Sequence, residues 1–365
     1  LFTLFWEAML LPVYFIIGMW GREQCKKAAI QFLLYMLAGS LFLVAAVLAL
    51  YLGTHSFNID ELAASAVQLP QAKWIFLVFI LAFAVKTPLF PFHAWLPNAY
   101  TRSSISGTLL LSALLSKAGI FGIVRLIHPL FPTLLEQWSP LLFTLAIVGV
   151  IYGGWAACTQ KDFKRLIAYS SFSHVNFVLA GLFVWHATAH TGALLQAFNH
   201  GITIAGLFLT AHWLEQRIGE TMITERRGLA KFMPQLCWLT LVFVLSSVAL
   251  PGTNSFVGEI LILFGSFQTF PWLTPFLGLT VIISVVYSLR LMQKIYFEVP
   301  SKHEERWTDI QWKEWALSIP LLVFIIWVGI YPAPFLKCVQ KETAHKKTVS
   351  IEPLIHETKD LNIRK

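Results

Sequence analysis

The feature that most constrains this chain is a series of long apolar runs that recurs from its first residue almost to its last. A helix that crosses the hydrocarbon core of a membrane needs about 20 such residues. The runs predict about ten membrane-spanning segments, at residues 1–20, 28–53, 74–101, 104–126, 138–158, 162–185, 190–213, 234–267, 272–296 and 314–335. Only 13% of the residues are charged, whereas a soluble domain has roughly 25%. The chain is therefore predicted to be an all-α, polytopic protein of the lipid bilayer.

Basic residues are concentrated in the odd-numbered connections between these segments. Arg22 follows the first segment, Lys164 lies between the fifth and sixth, and Arg217 follows the seventh. Because Lys and Arg favour the cytoplasmic side of short loops, these connections are predicted to be cytoplasmic, and Leu1 enters from the outer face. The net charge of +8 is thus explained by membrane orientation, and no nucleic-acid partner is expected.

Cysteine usage and nucleotide motifs give no sign of a resident metal or cofactor. The four cysteines lie far apart, without CxxC spacing, at Cys25, Cys158, Cys237 and Cys338. This pattern is typical of small apolar side chains rather than of an iron–sulfur or zinc site. A Walker loop and a GxGxxG strand–helix unit are also missing from the sequence. We therefore expect no metal, no cofactor and no redox centre in this chain.

Two of the predicted segments, 74–101 and 234–267, are longer than one straight membrane helix needs. Each contains helix-breaking residues, namely Pro88 and Pro91 in the first and Pro251 and Gly252 in the second. Proline removes an amide donor and clashes with the preceding turn. Broken backbone at membrane depth is tolerated only inside protein or beside a wet cavity, and discontinuous helices are typical of transporter ion sites. The sequence therefore predicts two broken helices.

Four ionisable residues lie within the apolar segments: Glu7, Lys86, Lys117 and Glu259. The two lysines are about a dozen residues from the segment ends, or roughly 18 Å at 1.5 Å per residue, which is too deep for snorkelling. A charge at this depth costs a few kcal/mol, so such residues face a protein interior or water and pair with one another. The set favours an ion path, although a purely structural Glu7–Lys86 pair stays open.

Three histidines in or beside these segments extend the candidate path: His93, His174 and His200. Imidazole titrates nearest neutral pH and suits proton relay, but a single histidine on an apolar face is more often simply hydrogen-bonded. Moving one charge against about 100 mV requires about 2.3 kcal/mol. Since the chain shows no motif that would supply this energy, an ion gradient or a partner subunit is expected to do so.

Several stretches carry a family resemblance. They are FWEAMLLPVYFIIGMWG, FAVKTPLFPFHAWLPNAY, LLLSALLSKAGIFGIVRL, DFKRLIAYSSFSHVNFVLAG, NHGITIAGLFL and LPGTNSFVGEILILFGSF. In this order they resemble the antiporter-like membrane subunits of respiratory complex I, a family that includes subunits of Mrp-type cation/proton antiporters and of membrane-bound hydrogenases. The resemblance extends over nearly the whole chain.

The resemblance implies a role for each deep ionisable residue. The coupled glutamate and lysine of the family match Glu7 and Lys86, its central lysine matches Lys117, and its relay histidine matches His200. The terminal residue, on the second broken helix, is Glu259, as in the M-type members, the counterparts of mitochondrial NADH dehydrogenase subunit 4. The short polar tail also favours the M-type over the L-type, which carries a long lateral helix.

The same resemblance implies a domain organisation. The chain is expected to begin at the fifth of the family's fourteen helices and to lack the first four, as an N-terminally truncated member. Residues 1–126 would be the rest of the first repeat, 138–296 the inverted second repeat, 297–335 a loop and the last helix, and 336–365 a polar tail.

The function implied is that of a non-redox, proton-translocating subunit of NADH:quinone oxidoreductase. Redox chemistry in other complex I subunits would drive protons along the Glu/Lys/His axis, in a bacterial cytoplasmic membrane rather than a mitochondrial one. Two alternatives remain from the sequence: an antiporter-like subunit of an Mrp-type antiporter or membrane-bound hydrogenase, and a scaffold that retains its charges without moving protons.

Overall fold

The computed structural model describes residues 1–219, 221–223, 228–298 and 307–340. Residues 341–365 of the predicted tail and 299–306 of the predicted loop lie outside this part of the chain. Helices dominate the described residues. They are α1 Phe2–Trp20, α2 Cys25–Thr54, α3 Ile59–Ser65, α4 Ala72–Lys86, α5 Trp95–Arg102, α6 Ile105–Leu130, α7 Pro132–Thr159, α8 Phe163–Phe183, α9 Ala187–Ile218, α10 Pro234–Ser247, α11 Asn254–Thr269, α12 Thr274–Phe297 and α13 Trp312–Ile330.

Each predicted segment corresponds to one of these helices or to a pair of them, which confirms the all-α membrane architecture. Among the described residues, eight helices are long and apolar enough to cross a membrane, and the α4–α5 and α10–α11 pairs occupy the two segments predicted to be broken. The short helix α3 was not predicted. It begins where the Asn58 side chain accepts a hydrogen bond from the Asp60 amide, as an N-cap does. Residues 333–340 are also helical, at the start of the predicted tail.

The first break separates α4, which ends at Lys86, from α5, which begins at Trp95. Pro88 and Pro91 lie in the turns between them. A break frees backbone carbonyls that must find other donors when they are buried. The Trp95 indole donates to the Val85 carbonyl over 3.2 Å, and the Asn176 amide donates to the Pro88 carbonyl over 3.2 Å. Side chains thus replace the missing helical hydrogen bonds.

The second break separates α10 from α11, and Gly252 lies in it with a φ of +93°, a conformation that favours glycine. A buried polar network stabilises this break. Ser246 donates to the Asn254 side chain over 2.6 Å, and Asn199 on α9 donates to the Asn254 carbonyl over 2.7 Å. Helix α13 crosses the break closely, because a Cβ at Gly329 would come within 2.1 Å of the Gly252 carbonyl oxygen.

Helix α8 lies at the centre of the protein, and 94% of its most apolar 18-residue stretch is buried. It packs against α7 and α9 through small residues: a Cβ at Gly153 would come within 3.0 Å of the Ser173 backbone. Small residues at helix contacts are characteristic of membrane bundles. Because α8 also carries serine, histidine and asparagine side chains, it places polar groups in the middle of the bundle.

Candidate functional site

The buried ammonium of Lys86 is the first member of the site. Its nitrogen lies 3.8 Å from a carboxylate oxygen of Glu7 on α1, donates to the Ser40 hydroxyl over 3.0 Å, and lies 4.3 Å from the centre of the Trp6 ring. Because the break ends α4 at Lys86, the ammonium also benefits from the negative end of the helix dipole. The predicted Glu7–Lys86 contact is therefore present, with two neutral partners that the sequence did not identify.

A cavity of about 20 Å³ lies next to Lys86. Its other walls include Trp6, Leu111 and Leu115, and the two leucines belong to α6, the helix of Lys117. A water molecule needs about 10–15 Å³ and two or more polar partners. The cavity has room for one water molecule, but its walls are mainly apolar. The region between Lys86 and α6 is thus small and poorly suited to ordered water in this conformation.

Lys117 lies on α6 after a π-helical turn, Leu110–Leu115. Its ammonium donates to the Ser112 carbonyl in that turn over 2.5 Å. The side chain lies against α9, because a Cβ built on Gly201 would be 3.8 Å from the Lys117 Cε. π-Helical turns are often found at functional sites. Here the turn precedes the lysine directly and supplies its carbonyl partner.

His200 connects Lys117 to the second half of the protein. It precedes Gly201 on α9, and Lys117 and His174 are the charged or titratable groups that act on it electrostatically. Its Nε2 lies 3.0 Å from the Ser171 hydroxyl on α8, and its ring centre is 5.5 Å from that of His174. The two histidines and the serine thus form one buried polar group between α8 and α9.

Glu259 on α11 is the far member of the site. One of its carboxylate oxygens lies 3.2 Å from Nδ1 of His174 and accepts a hydrogen bond from Gln196 over 3.0 Å. The Tyr287 hydroxyl lies 3.5 Å from His174 Nε2 and 2.7 Å from Ser170. Both His174 and Glu259 are almost completely buried. The structure therefore joins these two predicted residues and adds three polar neighbours.

His93 is not part of this group. It lies in the first break, where its ring packs at 4.4 Å from Phe172 and 4.9 Å from Tyr152, and more distantly against Phe90. The backbone amide of His93 donates to the Pro91 carbonyl over 3.0 Å. Its ring contacts in the described structure are therefore aromatic, and its place in the proton path stays a prediction.

Within the described residues there is no cluster of three or more His, Cys, Asp or Glu side chains that could hold a metal ion. The four cysteines are free thiols. The candidate site described above is made of ionisable side chains and neutral hydrogen-bonding partners.

A second ionic cluster lies at the end of the bundle with the basic connections. The Glu215 carboxylate contacts Arg22 and lies 2.7 Å from the Lys164 ammonium. Burial lowers the pKa of Arg22, and Asp162 opposes this effect. Arg22 lies between α1 and α2 whereas Lys164 and Glu215 belong to α8 and α9, so the cluster connects the two halves of the chain.

Several known proteins are similar in sequence to this chain over most of its length. A family model described as NADH:quinone oxidoreductase/Mrp antiporter, TM matches residues 1–284. The chain is 38% identical over 361 residues to NADH-quinone oxidoreductase subunit M of Mycobacterium tuberculosis, with 95% of this chain and 65% of the relative covered. It is 34% identical over 365 residues to the Escherichia coli K12 protein of the same name, with coverages of 96% and 71%. The chain thus spans about two thirds of the length of these relatives.

Solved structures show the same fold. A chain of respiratory complex I from Thermus thermophilus is 35% identical, with a TM-score of 0.89 over 96% of this chain and 74% of that one. A chain of the Mrp complex from Dietzia sp. has a TM-score of 0.85 over 96% and 73%, but at 19% identity it shows the fold alone. From the sequence match and the complex I likeness, the chain belongs to the NADH:quinone oxidoreductase/Mrp antiporter transmembrane family.

Proposed function

We propose that the chain is an M-type antiporter-like membrane subunit of NADH:quinone oxidoreductase and moves protons through the membrane without redox chemistry of its own. The energy would come from electron transfer in partner subunits of the assembled enzyme. The proposed path connects Glu7, Lys86, Lys117, His200, His174 and Glu259. The observation that carries the proposal is the placement of ionisable groups inside the bundle in two sections: Glu7 beside Lys86, and Glu259, His174 and His200, the last beside α6, the helix of Lys117.

The geometry supports proton transfer in two sections. In the first, Lys86 exchanges its proton beside the Glu7 carboxylate at 3.8 Å. In the second, Lys117, His200 and His174 lead to Glu259, and His174 is 3.2 Å from the carboxylate. The two sections are separated by the small cavity at Leu111 and Leu115. Transfer between them would require that this cavity widen and admit water.

Charge coupling would make the two sections work in sequence. A carboxylate and an ammonium attract strongly in a low-dielectric interior. When Glu7 moves away from Lys86, the ammonium loses its counter-charge and its proton is more readily transferred onward. A positive charge on Lys117 would then act on His200, its electrostatic neighbour. In this scheme a conformational change at Glu7, transmitted from a partner subunit, starts transfer toward Glu259.

An Mrp-type antiporter subunit is the alternative assignment, because the Dietzia Mrp chain has the same fold over 96% of this chain, as the complex I chain does. The sequence relations favour the complex I assignment. Identity is 34–38% to the subunit M proteins of Escherichia coli and Mycobacterium tuberculosis, against 19% to the Mrp chain. The bacterial relatives also support a bacterial cytoplasmic membrane as the location.

The proton path is tested by Lys117→Ala in the assembled enzyme, with Lys26→Ala as the matched control, because Lys26 is an exposed lysine in the first turn of α2. Inverted membrane vesicles would be used to measure protons moved per NADH oxidised. We expect the Lys117 variant to lose most of its proton transport and the control to retain it. A native ratio in the Lys117 variant would refute the path and favour a scaffold role.

The assembly is tested separately by mass spectrometry of proteins that co-purify with the tagged chain from gently solubilised membranes. Recovery of quinone-reductase subunits would support the complex I assignment. Recovery of small cation-antiporter subunits instead would favour the Mrp-type alternative. Since this experiment does not depend on transport, it separates the choice of complex from the question of the proton path.

A further inference from the structure

Two histidines that the proposed path does not include meet at the end of the bundle opposite the basic connections. His128 is near the end of α6, and His190 is in the first turn of α9. Their ring centres are 4.7 Å apart, with the planes at 62°. The exposed Trp185 stacks on His128 at 6.0 Å. Because tryptophan is enriched where a membrane meets water, this contact indicates that the imidazole pair lies near the membrane surface.

The pair lies between the same two helices that carry the middle of the proposed path. The Lys117 side chain on α6 lies next to Gly201 on α9, the residue that follows His200. His128 follows Lys117 by eleven residues, and His190 precedes Gly201 by eleven residues. At 1.5 Å per residue this is about 16 Å along each helix. Because the two helices are antiparallel, they bring this second pair of proton-exchanging side chains together. The pair lies about half a membrane thickness from the Lys117–Gly201 level.

The backbone between the two levels is irregular. A second π-helical turn of α6, Ile123–Ile127, lies immediately before His128, and the His128 amide donates to the Ile123 carbonyl. A wider turn of this kind is often associated with function in membrane and soluble helices. Both π-helical turns of α6 thus adjoin a proton-exchanging residue, one before Lys117 and one before His128.

Charged groups near the pair are those of the outer connections. Arg125 lies on the same helix and is exposed, and Glu136 is exposed on α7, which starts just after His128. Helix α3, which carries the exposed Asp60 and Glu61, packs against the last turn of α6. Three exposed carboxylates and one exposed guanidinium thus lie on the helices next to the pair. Exposed carboxylates near a histidine pair can collect a released proton or return it to water.

From this register we infer that His128 and His190 form a proton-transfer port between the Lys117–His200 level and the outer face of the membrane. The inference rests on the proposed function, since it concerns where the same protons leave or enter. A proton arriving by water would bind one nitrogen of an imidazole, and the proton on the other nitrogen would pass to the neighbouring ring or to water. Each ring returns to its neutral form after one transfer, so the step needs no other reactant.

The step from Lys117 to His190 would require water. In the 16 Å or so between the two levels, Arg125 is the one ionisable side chain on either helix, and it is exposed. Direct side-chain transfer over this distance is excluded, since hydrogen bonds reach about 3 Å. The port is therefore expected to work only when water enters between α6 and α9 during turnover. We therefore expect substitution of His128 or His190 to slow proton release and to leave NADH binding unchanged.

The port is tested in the assembled enzyme with His128→Gln and His190→Gln. Proton transport per NADH would be measured in inverted vesicles whose lumen, which faces the outer surface, is buffered between pH 5.5 and 8.5. We expect each variant to lose about tenfold in transport rate, less than the 10²–10⁴ of a general acid–base group because water can replace part of the relay. The dependence on lumen pH in the histidine range should also disappear.

Two controls separate proton transfer from packing. Trp185→Phe keeps an aromatic ring stacked on His128, and His55→Asn removes another exposed histidine of the outer connections. Both should retain native transport and the native pH profile. Native transport with a native pH profile in the His128 and His190 variants would overturn the port. A transport rate in the native enzyme that changes only with the pH outside the vesicles, and not with the lumen pH, would also overturn it.

The port and the proposed function fail in different ways. If Lys117→Ala leaves transport intact, the proposed function is wrong whatever the histidine variants do. If Lys117→Ala abolishes transport while His128→Gln and His190→Gln transport normally, the path stands and only the port is wrong. Assembly of each variant would be checked by its recovery with partner subunits, so that loss of the complex is not mistaken for loss of transfer.

Discussion

The side-chain amide of Asn176 donates a hydrogen bond to the carbonyl oxygen of Pro88 over 3.2 Å. Asn176 belongs to the central helix α8, two residues after His174, whereas Pro88 lies in the break just after Lys86. The same amide group also donates to the Phe172 carbonyl over 2.9 Å. One buried side chain thus connects the helix of the second section of the path to the broken helix of the first.

Asn176→Ala should therefore affect both stability and coupling. It leaves the buried Pro88 carbonyl without its side-chain donor, which costs about 1–3 kcal/mol. The free energy of unfolding would be measured in detergent and the protons moved per NADH in vesicles. Ser173→Ala is the matched control, because it removes a buried hydrogen bond from the same helix to Val150 without touching the break. We expect stability to fall in both variants and coupling to fall in the Asn176 variant alone. If the two variants move the same number of protons per NADH, the hydrogen bond from Asn176 to Pro88 has only a structural role.

The Glu7–Lys86 contact can be measured by a double-mutant cycle. Glu7→Gln leaves a fully buried ammonium with Ser40 and the Trp6 ring as its remaining partners. Because Glu7 is 31% exposed, we expect a cost of about 1–2 kcal/mol, below the 3–5 kcal/mol of a fully buried pair. The double variant Glu7→Gln/Lys86→Met should be destabilised less than the sum of the single variants, by about 0.5–3 kcal/mol. Additive effects would show that the two residues act independently.

The ionic cluster around Glu215 is expected to join the halves of the chain. Glu215→Gln removes the carboxylate that contacts both Arg22 and the buried Lys164, and loss of one partner of a buried ion pair costs about 3–5 kcal/mol. We expect the lower end of this range, since Arg22 is 33% exposed. Thermal unfolding in detergent would detect the change. Adding Lys164→Met should restore part of the lost stability, because the uncompensated charge is removed. A double variant less stable than Glu215→Gln would contradict this electrostatic explanation.

The sequence identified the ionisable side chains at membrane depth, whose burial costs free energy, and missed their neutral hydrogen-bonding partners. Charges at membrane depth are rare because they are expensive, so Lys86, Lys117 and Glu259 stand out in any apolar run. Proline likewise marks a helix break wherever it occurs in such a run. These rules are local, and they required no knowledge of which helices are neighbours.

Neutral partners depend on long-range packing and could not be predicted in that way. Ser40, Gln196 and Tyr287 are ordinary residues of membrane helices until the fold places them beside Lys86, Glu259 and His174. The π-helical turns of α6, LLSALL and IVRLI, also contain no glycine or proline that would have marked them in the sequence. The aromatic contacts of His93 in the break likewise depend on packing, and its place in the path, inferred from its spacing from Lys86, stays a prediction.

The close approach of α6 and α9 at Gly201 provides a final test of the path. A Cβ at Gly201 would lie 3.1 Å from the Ala113 carbonyl oxygen and 3.8 Å from the Lys117 Cε, so Gly201→Ala would push the helices apart by a few tenths of an ångström. Gly278→Ala is the matched control, because a Cβ there meets nothing within 4 Å.

Alanine stabilises a helix interior by roughly 0.5–1 kcal/mol relative to glycine. The Gly278 variant should therefore unfold at a slightly higher temperature and transport protons normally. The Gly201 variant gains the same helix propensity but displaces α6, which carries Lys117, from α9, which carries His200, so its transport per NADH should fall while its melting temperature changes little. Thermal unfolding and vesicle transport measured on the same two preparations would check this. Normal transport by Gly201→Ala would show that the Lys117–His200 approach tolerates displacement and would argue against tight geometric control of this step.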